Sequence, residues 1–204
     1  MKKFHTLIFD LDGVLIDSKN NMKNSWNSVR KELKVKQSFK KYFTHIGYPF
    51  EKILNKMGIK KNITEIKKLF KKKSILNIRH IKIYKGVHKA LHLLKSNGIN
   101  VAIVTSKDIN RTKIMVKKLR IPIKILISPR KNIRGKPYPD QLNLALKKLK
   151  SPKKGTAYIG DMPIDYKAAI NTKIDFIFAQ YGYGIKKKQY GKVIKKPMDI
   201  LKFI

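Results

Sequence analysis

The chain has 204 residues, enough to bury one core, or one core with a smaller insert. It contains no cysteine, which excludes thiol catalysis, disulfides and zinc–thiolate sites. With 49 lysines and arginines against 12 acidic residues the formal net charge is +37, so any clustering of carboxylates demands a chemical reason.

An apolar run over residues 4–9 reads as a buried strand, and it ends in Asp10-Leu11-Asp12-Gly13. Strand periodicity directs Asp10 and Asp12 to one side, where their charges repel unless a cation or a shared proton lies between them. The simplest resident is Mg²⁺, a hard ion held by one or two carboxylates together with substrate phosphate oxygens. Met1-Lys2-Lys3 followed by apolar residues is not read as a signal peptide, because Asp10 and Asp12 interrupt the run too early. No stretch approaches membrane-spanning length, and a soluble cytoplasmic protein is the default expectation.

Residues 18–83 carry apolar positions at helical spacing without a convincing strand. Met22, Trp26, Val29 and Leu33 recur at intervals of four, three and four, marking one amphipathic helix. Further helices are expected over 49–57 and 64–76, separated by Gly58-Ile59. A helical insert of this kind is what a cap over a crevice looks like, excluding water and contacting a leaving group.

Beyond this insert strand and helix alternate, with strands expected at 100–104, 123–127, 156–159 and 175–178, the pattern of a parallel sheet covered on both faces. One helix presents Val87, Ala90, Leu91 and Leu94 on a single face and closes at Asn97-Gly98. Another follows Asp140 as N-cap and is expected to bury Leu142, Ala145, Leu146 and Leu149. The strand at 100–104 runs into Thr105 and Ser106, and the strand at 156–159 runs into Gly160-Asp161 and on to Asp165. Between them Lys136 lies in Gly135-Lys136-Pro137-Tyr138-Pro139-Asp140, a loop stiffened by two prolines. Ligands of open parallel sheets bind beyond the carboxyl ends of the strands, so these segments are expected to converge on one crevice.

The five histidines, His5, His45, His80, His88 and His92, show no ligand spacing with carboxylates and are read as structural or surface groups. The lysines are scattered over solvated helix faces, such as Lys67, Lys68, Lys71 to Lys73, Lys117, Lys118, Lys147 and Lys148, with Lys186 to Lys188 in a late loop. No aromatic-interleaved basic motif accompanies them, so the charge is read as a compositional bias and not as a nucleic-acid footprint.

Asp10-x-Asp12-Gly13-Val14-Leu15, Thr105, Lys136 in Gly-Lys-Pro-x-Pro-Asp, and Gly160-Asp161-x-x-x-Asp165 together resemble the four motifs of the haloacid dehalogenase-like superfamily, in order and over nearly the whole chain. Within it the chain is most similar to the phosphoglycolate phosphatase-like group, which carries a helical cap after the first motif and re-enters the core at a sequence such as Tyr84-Lys85-Gly86-Val87. Gly182-Tyr183-Gly184 is also similar to that group. The resemblance implies an α/β fold: a Rossmann-like parallel-sheet core of residues 1–17 and 84–204, with a small α-helical cap of residues 18–83.

It further implies that Asp10 is a nucleophile and Asp12 a general acid, later the base for water. Thr105 would donate its hydroxyl to the phosphoryl group, with Ser106 beside it, and Lys136 would neutralise charge shared by phosphate and Asp10. Mg²⁺ would be held by Asp10, the backbone carbonyl of Asp12, Asp161 and Asp165, although support of a ligand from behind is an equal reading for Asp165. The loop Ile46-Gly47-Tyr48-Pro49-Phe50-Glu51 resembles the cap's specificity segment, making Tyr48 and Phe50 candidate substrate contacts. The expected reaction is Mg²⁺-dependent hydrolysis of a small phosphate monoester through an aspartyl-phosphate, with 2-phosphoglycolate the nearest family substrate.

Two alternatives share the fold. One is a β-phosphoglucomutase-like phosphomutase, disfavoured because Met22 stands where such enzymes carry a histidine in the run from Asp17 to Trp26. The other is a non-catalytic protein that binds nucleic acid, since a fold does not fix a function. Neither a specific nucleic acid nor a membrane is an expected partner, and the oligomeric state is left open.

Overall fold

A computed structural model describes residues 3–184 and 191–204; the lysines expected in a late loop at 186–188 lie outside the described residues. The first half of the chain forms β1 (Thr6–Phe9), β2 (Ile16–Asp17), α1 (Lys19–Glu32), α2 (Phe39–Phe43), α3 (Phe50–Lys56), α4 (Ile63–Leu76) and β3 (Lys82–Ile83). There follow α5 (Val87–Ser96), β4 (Asn100–Val104), α6 (Ile109–Lys118), β5 (Ile125–Ile127), α7 (Asp140–Leu149), β6 (Thr156–Gly160), α8 (Pro163–Thr172), β7 (Asp175–Ala179) and β8 (Lys192–Ile194).

Six strands pair in parallel in the order β5-β4-β1-β6-β7-β8. β1 is central, with Phe9 opposite Ile103 on one side and Ile159 on the other. Its side chains alternate between two cores: Leu7 and Phe9 pack with α5 and α6 residues such as Leu91 and Met115, while Ile8 packs with α7 and α8 residues such as Leu142 and Ala168. A strand covered on both faces must be apolar throughout, which is why residues 6–9 read as a continuous run.

The four helices α1 to α4 gather a third apolar cluster around Met22, Trp26, Val29, Tyr42, Leu54 and Phe70. Trp26 is fully buried, stacks on Tyr42 with ring centroids 5.0 Å apart, and donates its indole N–H to the Gln37 carbonyl at 2.9 Å. The helical layer joins the sheet through the two-residue antiparallel pair β2–β3, Ile16 opposite Ile83 and Asp17 opposite Lys82.

Several local expectations are corrected. Strands expected from residues 4 and 123 begin at Thr6 and Ile125, the flanking residues passing outside the ladder. Asp140 is the first residue of α7 and not its N-cap, which is Pro139; its carboxylate turns back to the Arg134 guanidinium at 3.0 Å. Leu149 is half-buried, at the edge of the core. β2, β3 and β8 were not expected, being too short or too lysine-rich to show an apolar alternation. Among the described residues no helix is long and apolar enough to cross a membrane.

Candidate active site

Asp10, Thr105 and Asp161 each directly follow the last residue of a strand, and the three strands β1, β4 and β6 are neighbours in the sheet. Parallel pairing therefore delivers a carboxylate, a hydroxyl and a second carboxylate side by side at one sheet edge. Asp10 and Asp161 are 4% and 0% exposed. The loop between β5 and α7 inserts Lys136 beneath them, so that its ammonium is fully buried.

Lys136 Nζ lies 3.2 Å from Asp10 Oδ2 and 2.6 Å from Asp165 Oδ1. Tyr158, reaching in from β6, places its hydroxyl 3.2 Å from both Lys136 Nζ and Asp165 Oδ1. The other Asp165 oxygen accepts the Met162 N–H at 3.0 Å. Both oxygens of Asp165 thus have protein partners, and the residue fixes Lys136 and the start of α8. Burial pushes the Lys136 pKa down, but the charges of Asp10 and Asp165 outweigh it and hold the ammonium above its ordinary range.

Sequence reasoning placed mutual repulsion between Asp10 and Asp12; the structure relieves it differently. Asp12 pairs through Oδ2 with Lys107 Nζ at 3.0 Å and accepts the Ser18 hydroxyl on Oδ1. The crowding lies instead among Asp10, Asp161 and Asp165, whose nearest carboxylate oxygens fall within 4.8 Å of one another. Burial, and after it the charges of Asp165 and Asp12, raise the Asp10 carboxyl to about 7 against the pull of Lys136. Asp161 is raised as well, by burial and then by Asp165 and Asp10.

Two buried carboxylate oxygens in this cluster, Asp10 Oδ1 and Asp161 Oδ1, have no hydrogen-bond partner. Four carboxylates (Asp10, Asp12, Asp161, Asp165) face two ammonium groups (Lys107, Lys136), an excess of two negative charges. Unpartnered hard oxygens and a twofold charge deficit fit a divalent cation such as Mg²⁺, held by Asp10 and Asp161. The backbone encloses that position closely: a Cβ on Gly13, at φ +86°, would collide with the Asp161 carboxylate.

Above the cluster, between core and helical layer, lies a cavity of about 50 Å³ lined by Asp10, Asp12, Thr105, Ser106, Lys136, Tyr48 and Phe50 among others. Seven of the nine expected site residues therefore share one cavity, and Asp161 and Asp165 flank it through Asp10. Thr105 Oγ1 accepts the Lys107 N–H at 3.2 Å. Ser106 donates its hydroxyl to the Gly47 carbonyl at 2.6 Å, which clasps the core to the cap-side loop. Tyr48 and Phe50 are half-buried, Phe50 against Phe70 at 4.6 Å.

Two basic cavity residues, Lys107 and Arg111, escaped sequence reasoning, as did Tyr42. Burial lowers the Lys107 pKa, and the charge of Asp12 offsets only part of that effect. Arg111, on the first turn of α6, binds Asp108 through Nε at 2.6 Å and lies 5.3 Å from the centre of the Phe70 ring. Burial raises the Asp108 pKa, but Arg111 outweighs it and holds that carboxyl below its ordinary value. In a chain with 49 basic residues nothing local marks these two.

Residues 7–179 match the family model of the haloacid dehalogenase-like hydrolases. A protein named as a pyrophosphatase, PpaX, from Caldanaerobacter subterraneus is 27% identical over 209 residues, covering 99% of this chain and 95% of the relative. A phosphoglycolate phosphatase from Aquifex aeolicus is 24% identical, covering 97% and 95%. A crystal structure from Lactobacillus plantarum, named as a phosphoglycolate phosphatase, superimposes with a TM-score of 0.88 over 99% of this chain and 100% of its own at 22% identity, a likeness of fold. The family model spans both the strand that delivers Asp10 and the strand end that delivers Asp161, and the chain belongs to the haloacid dehalogenase-like hydrolase family.

Proposed function

We propose that the chain is a phosphatase that hydrolyses a small phosphate monoester through a phosphoryl group carried on Asp10. One observation supports this reading above others: Asp10 has one oxygen held by Lys136 and the other unpartnered beneath a small cavity. A carboxylate so placed is a preorganised nucleophile, because Lys136 orients one oxygen while the other is left for the cation.

A carboxylate oxygen of Asp10 attacks phosphorus and the ester P–O bond breaks. Asp12 protonates the departing alkoxide, then takes a proton from the water that cleaves phospho-Asp10 to release inorganic phosphate. Thr105 and Lys136 meet the charge on the transferring oxygens. Mg²⁺, held by Asp10 and Asp161, supplies positive charge to the phosphoryl oxygens when bound. Asp165 keeps Lys136 in place. The cap excludes water, with Tyr48 and Phe50 forming part of the wall against the leaving group.

Relatives named as phosphoglycolate phosphatase and as pyrophosphatase support a small substrate. Purified protein is tested against a panel of phosphate monoesters with Mg²⁺ and with chelator. Phosphate release confined to the Mg²⁺ arm is expected; a folded protein inert on every ester in Mg²⁺ contradicts the reading.

A further inference from the structure

Arg111 is 6% exposed, and its ion-pair partner among the described residues, Asp108, is engaged through Nε. Among the described residues none accepts a hydrogen bond from its two terminal nitrogens, yet the side chain lines the cavity above Asp10. Facing the same space is Tyr42, 3% exposed, whose hydroxyl also has no partner among the described residues. These polar atoms remain reachable from the cavity, and a guanidinium with two free N–H edges matches an anion bidentately. Lys136 and Lys107 meet the carboxylates around Asp10, whereas Arg111 is paired through Nε alone and keeps both terminal nitrogens for a ligand in the cavity.

The size of the cavity narrows the ligand. A volume of about 50 Å³ holds on the order of four waters and favours a compact anionic group.

We propose that Arg111 and the Tyr42 hydroxyl form a subsite for a second anionic group, carried by the leaving part of a small phosphorylated substrate. The inference rests on the phosphatase reading and narrows its substrate class to esters or anhydrides that keep a negative charge after the transferring phosphoryl is removed. A carboxylate and a second phosphoryl group both supply that charge, and relatives named for phosphoglycolate and for pyrophosphate share this one property.

The competing role for Arg111 is structural, pinning Asp108 to Phe70 across the core–cap boundary. Three probes separate the two: 2-phosphoglycolate, inorganic pyrophosphate and ethyl phosphate, the last with no second charge. The wild type is expected to prefer one of the charged probes, and the better of the two identifies the group. Arg111→Met should lower kcat/KM on that probe by about 10- to 100-fold, largely through KM, and alter ethyl phosphate hydrolysis less than about threefold. Arg111→Lys should recover part of the loss.

Tyr42→Phe keeps the ring packing and provides an arm independent of the Asp108 contact. It should weaken only the charged probe, by about three- to tenfold. Equal losses on charged and uncharged probes, or a wild type that prefers ethyl phosphate, overturn the subsite while leaving the phosphatase reading intact. A wild type inert on all three, and on a wider ester panel, overturns both.

Discussion

Tyr183 donates its backbone N–H to Asp161 Oδ2 over 2.6 Å, tying the loop after β7 to a carboxylate that follows β6. The same residue reaches the link between β2 and α1: its hydroxyl donates to Asp17 Oδ1 at 2.8 Å and accepts the Ser18 N–H at 2.7 Å. One tyrosine thus couples the proposed cation site to the segment that joins the sheet to the helical layer.

The loop approaches so closely that its glycines have a steric role. A Cβ on Gly182 would collide with the Asp161 side chain and with the Gly13 carbonyl. Gly182→Ala should displace Asp161, costing about 1–3 kcal/mol of overpacking and raising the Mg²⁺ concentration needed for half-maximal activity. Titration of activity with Mg²⁺ measures this, and an unchanged half-saturation point argues against the proposed role of Asp161.

Removal of the cation has a signed pH consequence. The Asp10 carboxyl rises from the ordinary 3.8 to about 7 in the cation-free fold, chiefly by burial. Its contribution to stability is then fully present below the unfolded value and lost as pH rises through the folded one. Mg²⁺ binding needs ionised ligands and competes with that proton. The rise in Tm on adding Mg²⁺ should therefore be larger at about pH 8 than at about pH 5. Calorimetry at both values checks the sign, and in Asp10→Asn the difference should shrink.

The single tryptophan sits at the centre of the apolar cluster of the helical layer. Trp26→Ala removes a fully buried ring that stacks on Tyr42 and lies 6.5 Å from Phe70, with an expected cost of about 3–5 kcal/mol. Trp26→Phe should cost less. Denaturant unfolding followed by circular dichroism measures both, and a loss near zero for the alanine variant would mean that the cap cluster contributes little to global stability.

Strand-end carboxylates and hydroxyls were legible in the sequence because parallel pairing is regular: once residues 4–9, 100–104 and 156–159 read as strands, the residues after them had to meet. The Met22, Trp26, Val29 face was legible for the same reason, a fixed helical period. Lys107 and Arg111 were not, because burial of a basic residue is decided by partners distant in sequence, Asp12 for one and Phe70 for the other. Strand β8 was hidden because a three-residue edge strand, Lys192-Val193-Ile194, forms through its pairing with β7 and not through its own pattern.

Met22 bears on the fate of phospho-Asp10. It is 4% exposed and lines the cavity, where a thioether offers only a weak acceptor. Water, not a rebinding sugar hydroxyl, should take the phosphoryl group. Incubation with β-glucose 1-phosphate, primed with a bisphosphate, is expected to give at most inorganic phosphate and free sugar. An isomeric sugar phosphate accumulating without phosphate release would establish a mutase.

The covalent role of Asp10 is tested most directly by Asp10→Asn, which keeps the side chain's shape and removes the nucleophile. In Mg²⁺, with the best substrate from the ester panel, the variant should retain its circular dichroism and release no phosphate above a mock-purified background. Phosphate released by the folded variant at a rate near that of the wild type would contradict transfer through Asp10.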